Sequence, residues 1–220
     1  MLKIENIAVS GFQSAIRGMR NPMNSWDKSD SGIFCYNTHD VADWGAAPKH
    51  MVQVGKNDLD LMQRLFRAGT EHRKYARMIN VYMDVTAPLY WWKEFDTYKV
   101  GTVANSCSTM HKITEKPFTV DDFSHDRLNN NSIGMLEILV GALEANRLLY
   151  LANIDGNPRE FWDQIIQLLP SSYNQRRTVM FNYEVCATIY KQRHNHKLPE
   201  WHTLCDAILE LPYFRDITGY

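Results

Sequence analysis

EHRKYARMINVYMDVTAPLYWWKEFDTYKVGTVANSCSTMHK, the sequence of residues 71–112, decides the predicted fold. Its first part contains five apolar residues at a spacing close to two, namely Tyr75, Ile79, Val81, Met83 and Val85. This alternation is typical of a strand with one buried face. Residues 84–88 then predict a turn, and Pro88 suits the first turn of a helix. That helix would bury a broad apolar side made of Leu89, Tyr90, Trp91, Trp92 and Phe95.

The last part of this stretch, residues 97–112, is rich in hydroxyls, amides and cations and has little periodicity. A polar segment between aromatic residues is a candidate ligand-binding loop. The same residue types are also common in turns, and Tyr-Trp-Trp on a helix is more often core than a stacking surface. The residues alone leave both interpretations open.

The composition is that of an ordinary globular protein. The 220 residues carry a formal net charge of −1, with 45% apolar and 22% charged residues, so we predict a single domain over residues 1–220. The near-neutral charge argues against nucleic-acid binding, which needs a concentrated basic face. No apolar run is as long as a membrane span, and the N-terminus lacks a signal-peptide pattern. We therefore expect a cytoplasmic protein with no membrane partner.

Neither the cysteines nor the histidines predict a metal or disulfide framework. The cysteines are scattered without a Cys-x-x-Cys pair, at Cys35, Cys107, Cys186 and Cys205. Free thiols in a reducing compartment fit this spacing better than disulfides do. Three histidines lie close together in the sequence, at His194, His196 and His202. Two of them lie beside a predicted helix end, where cations meet the carbonyl dipole favourably, and no carboxylate has zinc-site spacing, so we predict no metal site.

The rest of the chain predicts one more strand and several helices. Residues 2–10 alternate weakly, which favours an edge strand, and residues 10–30 indicate a short helix followed by a polar loop. A helix capped by Asn57 or Asp58 would end at Gly69. Apolar residues at helical spacing predict four later helices, over residues 133–151, 158–169, 175–193 and 199–211. Loops or surface segments are predicted over residues 44–54 and 119–131.

Two adjacent arginines are candidates for holding an anion. Arg176 and Arg177 lie near the start of the helix predicted over residues 175–193. Cations at that end oppose the helix dipole and gain little from the helix, which favours a role toward an anion. A solvated pair near a helix end is the alternative, and both interpretations stay open. Gly-rich phosphate loops and the Gly-x-Ser-x-Gly, Walker and Rossmann signatures are absent from the sequence.

The order of these segments resembles that of the flavin-dependent thymidylate synthases. That family has a Glu-His pair before a strand, an Ala-Pro turn into a helix, an Arg-His-Arg loop, an Arg-x-x-Leu-Pro motif and a long later helix. The matching segments here are Glu71-His72, Ala87-Pro88, Thr97-Tyr98-Lys99, residues 105–111, residues 166–170, residues 178–193 and finally Glu200-Trp201. Asn182 and Arg193 fall where the family has its own Asn and Arg, and the shared order covers nearly the whole chain.

The resemblance implies a mixed α/β fold, in which helices pack on an antiparallel or mixed sheet, and a homotetramer. In the family, FAD lies between subunits and deoxyuridylate (dUMP) stacks on the flavin. NADPH reduces the flavin, methylenetetrahydrofolate supplies the carbon, and no protein nucleophile is obligatory. No catalytic residue is therefore assigned. The implied cofactor-binding residues are His72, Lys99, Asn105, Asn182 and Arg193, and the implied substrate-binding residues are Ser106, Ser108, Arg176 and Arg177.

The sequence departs from the family at positions where the family has arginines. Those positions here carry Thr97, Met110, Ile166 and Glu184, and Ser106 replaces a family Glu. A hydrogen bond to a charged group contributes roughly 1.5 to 3 kcal/mol, so losing two phosphate-binding arginines would cost on the order of 3 to 6 kcal/mol, or about 10² to 10⁴ in affinity. Glu184 would also repel a phosphate. Replacement cations are available near these positions, at Arg73, Lys99, His111, Lys112, Arg176, Arg177 and Arg193.

Three functions are compatible with these observations. The first is a divergent FAD-dependent thymidylate synthase-like enzyme that methylates dUMP to dTMP or makes a related C5 modification. The second is a non-catalytic protein of the same fold that binds a nucleotide or another anionic metabolite. The third is a structural oligomer, if the tryptophans and cations serve only packing and the surface. Bound flavin separates the first from the second.

Overall fold

The computed structural model describes residues 2–36, 49–153 and 156–220. The strands are β1 Lys3–Ser10, β2 Gly32–Tyr36, β3 Lys49–Gln53, β4 Asn80–Pro88, β5 Val103–Ser106 and β6 Asn174–Asn182. The helices are α1 Phe12–Arg20, α2 Lys56–Arg67, α3 Leu89–Phe95, α4 Thr109–Lys112, α5 Asn130–Ala152, α6 Pro158–Leu168, α7 Tyr183–Arg193, α8 Pro199–Leu209 and α9 Phe214–Thr218. Short 3₁₀ segments lie at Asn21–Met23, Trp26–Lys28, Arg73–Met78 and Val120–Asp122.

The described strands form a four-stranded and a two-stranded sheet. The larger sheet has the order β1-β4-β6-β5, and β2 pairs antiparallel with β3. Strand β5 is antiparallel to β6, with Val103 opposite Met180 and Ser106 opposite Arg177. The predicted mixed α/β fold with an antiparallel sheet and packed helices is therefore confirmed, and so is the edge position of β1.

The chain divides into two compact units, each assembled from two separate segments. The first unit combines Met1–Ile7 with Tyr82–Met180, and the second combines Ala8–Val81 with Phe181–Tyr220. Strands β1, β4 and β6 each contain residues of both units. The single domain over residues 1–220 stays a prediction.

The core of the first unit has an aromatic part on α3 and a second, mixed apolar cluster. Trp91, Trp92 and Phe95 are buried on α3, with ring centroids about 5 Å apart, and the Trp92 Nε1–H donates to the Gln175 carbonyl at 2.9 Å. These aromatic side chains are core, as the more conservative interpretation of the sequence held. Apolar side chains from α5, α6 and the preceding loops form a second cluster, whose buried members are Ile113, Phe118, Phe123, Leu136, Val140, Leu143 and Ile165.

The second unit is held by edge-to-face aromatic contacts and a buried ion pair. Tyr183 contacts Phe12 and Phe214 with ring centroids 5.6 and 5.4 Å apart. The Arg20 Nε–H donates to Asp58 Oδ1 at 2.6 Å, and both side chains are buried. Gly11 precedes α1 with φ 95°, and a Cβ there would lie 2.0 Å from the Met78 carbonyl oxygen, so only glycine fits.

The central strand differs from its prediction at both ends. It begins at Asn80, because Tyr75 lies in the 3₁₀ segment before it, where its hydroxyl donates to the Met62 carbonyl at 2.8 Å. The predicted turn at residues 84–88 is wrong, because the strand continues to Pro88. Every second side chain from Val81 to Ala87 is buried, so one face of the strand is buried along this whole segment. This burial favours a continuous strand over the predicted turn.

The helix predicted over residues 175–193 is wrong in its first half. Residues 174–182 form β6, in which Val179 and Phe181 alternate as buried residues, and helix α7 begins only after Asn182. The Asn182 side chain accepts the Val185 N–H at 3.1 Å and so caps α7. Arg176 and Arg177 therefore lie on a strand, and the argument from the helix dipole does not apply to them.

Other predicted segments are corrected in smaller ways. Residues 97–112 are not wholly irregular, since they contain β5 and α4. Asp30, rather than Asn57 or Asp58, accepts the first N–H groups of α2. Of the loop predicted over residues 44–54, residues 44–48 lie outside the described residues and residues 49–53 form β3. Phe123 in the predicted surface segment is buried, because it packs against Tyr173.

The predictions of three later helices and of free thiols at the described cysteines are confirmed. The predicted helices over residues 133–151, 158–169 and 199–211 correspond to α5, α6 and α8. Cys107, Cys186 and Cys205 are free thiols, whereas the side chain of Cys35 lies outside the described part of the structure. None of the described helices is long and apolar enough to cross a membrane. Within the same residues, no three His, Cys, Asp or Glu side chains are grouped as a metal site would require.

Candidate functional site

A cavity of about 720 Å³ in the first unit is the candidate functional site. It lies where β5 runs into α4, beside the start of β6. Two of the predicted substrate-binding residues, Ser108 and Arg176, line it together with Cys107, Lys112 and Gln175. Its further lining residues are Lys3, Thr86, Thr109, Ile113, Glu115, Lys116, Asp121, Asp122, Tyr173 and Asn174.

Backbone hydrogen bonds fix the segment that carries Ser108. The Cys107 N–H donates to the Arg176 carbonyl at 2.9 Å, and the Gln175 side chain donates to the Cys107 carbonyl at 2.9 Å. Ser108 then caps α4, since its Oγ accepts the His111 N–H at 3.2 Å. A hydroxyl that accepts one bond keeps its own proton for donation, so Ser108 can still donate to a ligand.

Every cation among the lining residues faces a carboxylate. Lys112 Nζ lies 2.5 Å from Glu115 Oε1, and Lys3 Nζ lies 2.9 Å from Glu5 Oε1. Two further pairs complete the set, Lys116 with Asp122 and Arg176 with Asp84. Each lining cation is thus already compensated, and Asp121 adds a further carboxylate to the lining, so an anionic ligand must compete with carboxylates for the cations.

The Arg176 pair belongs to a larger hydrogen-bonded group. Asp84 accepts bonds from the Thr178 hydroxyl at 2.6 Å, the Asn6 amide at 2.8 Å and the Arg176 guanidinium at 2.8 Å. These three bonds hold the pKa of Asp84 well below its usual range. The carboxylate is therefore ionised at neutral pH, and its hydrogen bond raises the pKa of Arg176.

Tyr173 contributes a neutral hydrogen-bonding group to the cavity. Burial raises the pKa of its phenol to about 12, and the nearby Asp122 and Cys107 act in the same direction. The phenol is therefore protonated at neutral pH. Because its ring contacts Phe123 with centroids 5.7 Å apart, the side chain has a fixed position.

The other predicted substrate-binding residues lie outside the cavity lining. Arg177 follows Arg176 on β6, where successive side chains point to opposite faces. Its guanidinium lies 4.2 Å from the centre of a Trp92 ring and 2.8 Å from Asp96 Oδ1. Ser106 lies opposite Arg177 on β5 and is exposed.

The predicted cofactor-binding residues are divided between the two units. In the first unit, Asn105 is exposed on β5, and Lys99 lines a smaller cavity of about 220 Å³. In the second unit, His72 is exposed, Asn182 is buried as the α7 cap, and the Arg193 guanidinium lies 4.7 Å from the centre of a Trp201 ring. Asn182 thus has a structural role whether or not it also meets a ligand.

Three of the four residues that the resemblance matches to family arginines have a local structural role. The Thr97 hydroxyl donates to the Glu94 carbonyl at 2.7 Å, and Ile166 packs against the second apolar cluster of the first unit. Glu184 forms an ion pair with Arg73 at 2.7 Å, so its charge is compensated within the second unit. Met110 is half exposed. None of these four positions supplies a cation.

Among the lining residues that escaped sequence analysis are Lys116, Tyr173, Asn174 and Gln175. Two of them begin β6, which was mistaken for a helix. The available signal was the presence of the β-branched and aromatic residues Thr178, Val179 and Phe181, which are residue types that favour a strand. Lys116 had no such signal, because only the folded chain brings it near β6.

No protein-family model matches the sequence, and no curated protein matches it either. The structure is similar to two crystal structures of the flavin-dependent thymidylate synthase ThyX from Helicobacter pylori, both in complex with FAD and dUMP. Each has a TM-score of 0.65 and 16% sequence identity, and the alignments cover 99% and 97% of this chain and 97% of each ThyX chain. The chain therefore has the fold of these enzymes, as the resemblance implied. Membership of their family stays a prediction.

Proposed function

We propose that the chain is a divergent FAD-dependent thymidylate synthase-like enzyme that binds dUMP in the cavity of the first unit. The observation that carries the proposal is the convergence of Ser108, Lys112 and Arg176 on one cavity of about 720 Å³. Small-molecule sites typically have volumes of roughly 300 to 1,000 Å³ and a few convergent polar groups. The likeness to structures that hold dUMP and FAD supports the same assignment.

The phosphate would replace Glu115 as the partner of Lys112. More than half of each side chain in this ion pair is exposed. Exposed pairs contribute little to stability and are screened by salt, whereas a phosphate offers three strong acceptor oxygens. Lys112 can therefore turn to the ligand at small cost. Arg176 is less free, because Asp84 holds it within a hydrogen-bonded group.

The remaining polar groups would orient the nucleotide. The Ser108 hydroxyl would donate a hydrogen bond to a phosphate oxygen, and the protonated phenol of Tyr173 would donate one to a base or sugar oxygen. The Gln175 side chain already donates to Cys107, so it would fix the wall of the cavity rather than contact the ligand. No residue of the chain is proposed as a nucleophile.

The side chains proposed for FAD fit its chemistry. Lys99 and Arg193 bring permanent cations suited to a diphosphate, and the exposed His72 and Asn105 can donate hydrogen bonds. The carboxamide oxygen of Asn182 is used by the α7 cap, which leaves its NH₂ group as a donor. When bound and reduced by NADPH, FAD would supply the hydride for the carbon that methylenetetrahydrofolate donates. Assembly as a cytoplasmic homotetramer belongs to the same proposal.

Native mass spectrometry with added FAD and dUMP, followed by an assay of dTMP formation, tests this function. We expect retained FAD and dTMP production that requires NADPH and methylenetetrahydrofolate. The matched control is Thr203→Glu, an exposed change on α8 that should leave both results unaltered. Failure to retain FAD would contradict the proposed enzymatic function.

A non-catalytic binding protein is the second candidate function. Two observations favour it. The cations of the cavity are already paired with carboxylates, and Thr97, Met110 and Ile166 supply no cation at positions where the resembling family has arginines. Such a protein would bind dUMP or a related anion without FAD and would form no dTMP. Absence of FAD and dUMP binding would contradict the enzyme, and absence of binding to dUMP and to related nucleotides and inorganic phosphate would contradict the binding protein.

A further inference from the structure

A second cavity, of about 290 Å³, lies in the second unit. It is lined by residues of helix α1, of the segment from residue 26 to residue 31, and of the paired strands β2 and β3. The residues that line it are different from those that line the cavity proposed for dUMP. Small-molecule sites range from roughly 300 to 1,000 Å³, so this cavity suits a ligand with one ring system better than a nucleotide.

Arg17 is the cation of this cavity that a ligand can use. It is exposed on α1, and no carboxylate of the described residues forms an ion pair with it. Arg20 also lines the cavity, but it is buried and its charge is compensated by Asp58. One positive charge therefore remains for a ligand. A planar guanidinium binds a carboxylate through two parallel hydrogen bonds, so a monoanionic carboxylate matches this charge.

The two serines of the lining offer hydrogen-bond acceptors. Their hydroxyls both donate to Asp58 Oδ2, from Ser29 at 2.7 Å and from Ser31 at 2.6 Å. A carboxylate that is paired with Arg20 is ionised and only accepts hydrogen bonds, which fixes the direction of both bonds. The Ser31 Oγ also accepts the Gly55 N–H at 2.9 Å. Each hydroxyl oxygen keeps a lone pair but has no proton left to donate, so a ligand must bring its own N–H or O–H donor.

Trp26 gives the cavity a flat aromatic surface. Its side chain is 51% exposed, and its Nε1–H donates to Asn21 Oδ1 at 2.8 Å, which orients the indole ring. Ile16 and Val52 add apolar surface to the same lining. A half-exposed ring beside apolar side chains favours stacking with a second planar ring. The ligand that fits this lining is therefore flat and largely apolar between its carboxylate and its donor group.

We propose that this cavity binds a small aromatic carboxylic acid that carries a hydroxyl or amino group. Arg17 would bind the carboxylate, Trp26 would stack on the ring, and Ser29 or Ser31 would accept the donor. Inorganic phosphate fits this lining less well, because it has no ring and carries more than one negative charge at neutral pH. The proposal does not depend on dUMP or FAD binding, since it concerns a different cavity.

Saturation-transfer NMR with meta- and para-hydroxybenzoate as probes tests the chemical class of the ligand. We expect at least one isomer to bind the full chain with a Kd on the order of 0.1 to 1 mM, as is usual for a ligand of about ten non-hydrogen atoms. Benzoate lacks the donor and should bind roughly 2- to 10-fold more weakly. Phenol lacks the carboxylate and should bind more weakly by about 10-fold or more. Absence of binding by both isomers at about 10 mM would overturn the proposal, and so would an equal affinity for benzoate.

Matched arginine variants test whether the probe binds in this cavity. Arg17→Gln should weaken hydroxybenzoate binding by about 10-fold or more and leave the melting temperature unchanged, because the side chain is exposed. Arg67→Gln is the control, since Arg67 is exposed on α2 in the same unit but lies outside the cavity lining. Equal affinities of the two variants would overturn the proposal. Displacement of the probe by an equal concentration of dUMP or inorganic phosphate would also overturn it.

Discussion

Asp58 in the second unit and Asp84 in the first unit use similar partners for different purposes. Asp58 accepts bonds from Arg20 and from the hydroxyls of Ser29 and Ser31, at 2.6 to 2.7 Å. Asp84 accepts bonds from an arginine, a threonine hydroxyl and an asparagine amide, at 2.6 to 2.8 Å. The difference is burial, because the Asp58 and Arg20 side chains are 0% and 4% exposed while those of Asp84 and Arg176 are 16% and 53% exposed. A hydrogen-bonded Asp–Arg pair stabilises the fold when it is buried. When the arginine is exposed at a cavity, a ligand can compete with the carboxylate for it.

The largest effect is expected from removing the buried carboxylate. Asp58→Ala leaves Arg20 charged and without its partner inside the second unit, which should destabilise the protein by about 3 to 5 kcal/mol. Asp84→Ala is the matched control and should have a much smaller effect, since Arg176 remains solvated. Urea denaturation of both variants measures the difference. Equal losses of unfolding free energy in the two variants would contradict the difference between the buried Asp58 pair and the exposed Asp84 pair.

The pH dependence of stability is a further test of the role of Asp58. Burial by itself raises the pKa of Asp58, but hydrogen bonds from Ser31, Ser29 and Arg20 outweigh burial and lower it. A lowered pKa in the folded state stabilises the protein at pH values above the unfolded pKa of about 4 and is lost as the pH falls through the folded pKa. Wild type should therefore lose unfolding free energy below about pH 4 more steeply than Asp58→Asn. Parallel curves for the two proteins would count against this role of Asp58.

Ligand affinity should respond to the exposed pairs of the cavity. Lys112→Gln should weaken dUMP binding on the order of 10- to 100-fold, because one charge-assisted hydrogen bond is lost. Glu115→Gln should strengthen it, because the competing carboxylate is removed. Isothermal titration calorimetry measures both, with deoxyuridine as the ligand that neither change should affect. If Glu115→Gln weakened dUMP binding, Lys112 would not be the phosphate partner.

The smallest effect is expected at Ser108. Ser108→Ala removes one donor to the ligand and should lower dUMP affinity roughly 2- to 10-fold, the value of one neutral hydrogen bond. Thr203→Ala, an exposed change on α8 outside the cavity lining, is the control in the same titration. An unchanged affinity would remove Ser108 from the site.

Sequence patterns predicted the fold better than the site. Helix α5 was predicted well because its apolar spacing is long and unbroken. Its start was missed, because Asn129 caps the helix by accepting the Ser132 N–H at 3.0 Å and the helix begins at Asn130 rather than at residue 133. Strand β6 was missed because its apolar residues also fit the spacing of the helix that follows. Without that strand, the position of Arg176 beside Asp84 could not be inferred.

Sequence analysis anticipated only a few residues of the cavity lining, namely Ser108, Lys112 and Arg176. Ser108 lies in the polar stretch that sequence analysis selected, and the structure places it in the cavity. Lys116 and Tyr173 enter the same cavity from distant parts of the chain, and no local pattern marks such a meeting. The pairing of each lining cation with a carboxylate is likewise a tertiary property.

Alkylation of Cys107 is the most direct test of dUMP binding in this cavity. Cys107 is exposed and lines the cavity, while the buried Cys186 and Cys205 serve as internal references. The measurement is the rate of N-ethylmaleimide labelling of the Cys107 peptide by mass spectrometry, with dUMP or deoxyuridine present. We predict that dUMP slows labelling, that deoxyuridine at the same concentration does not, and that Lys112→Gln weakens the protection. An unchanged labelling rate at a dUMP concentration that saturates the protein by calorimetry would contradict the account.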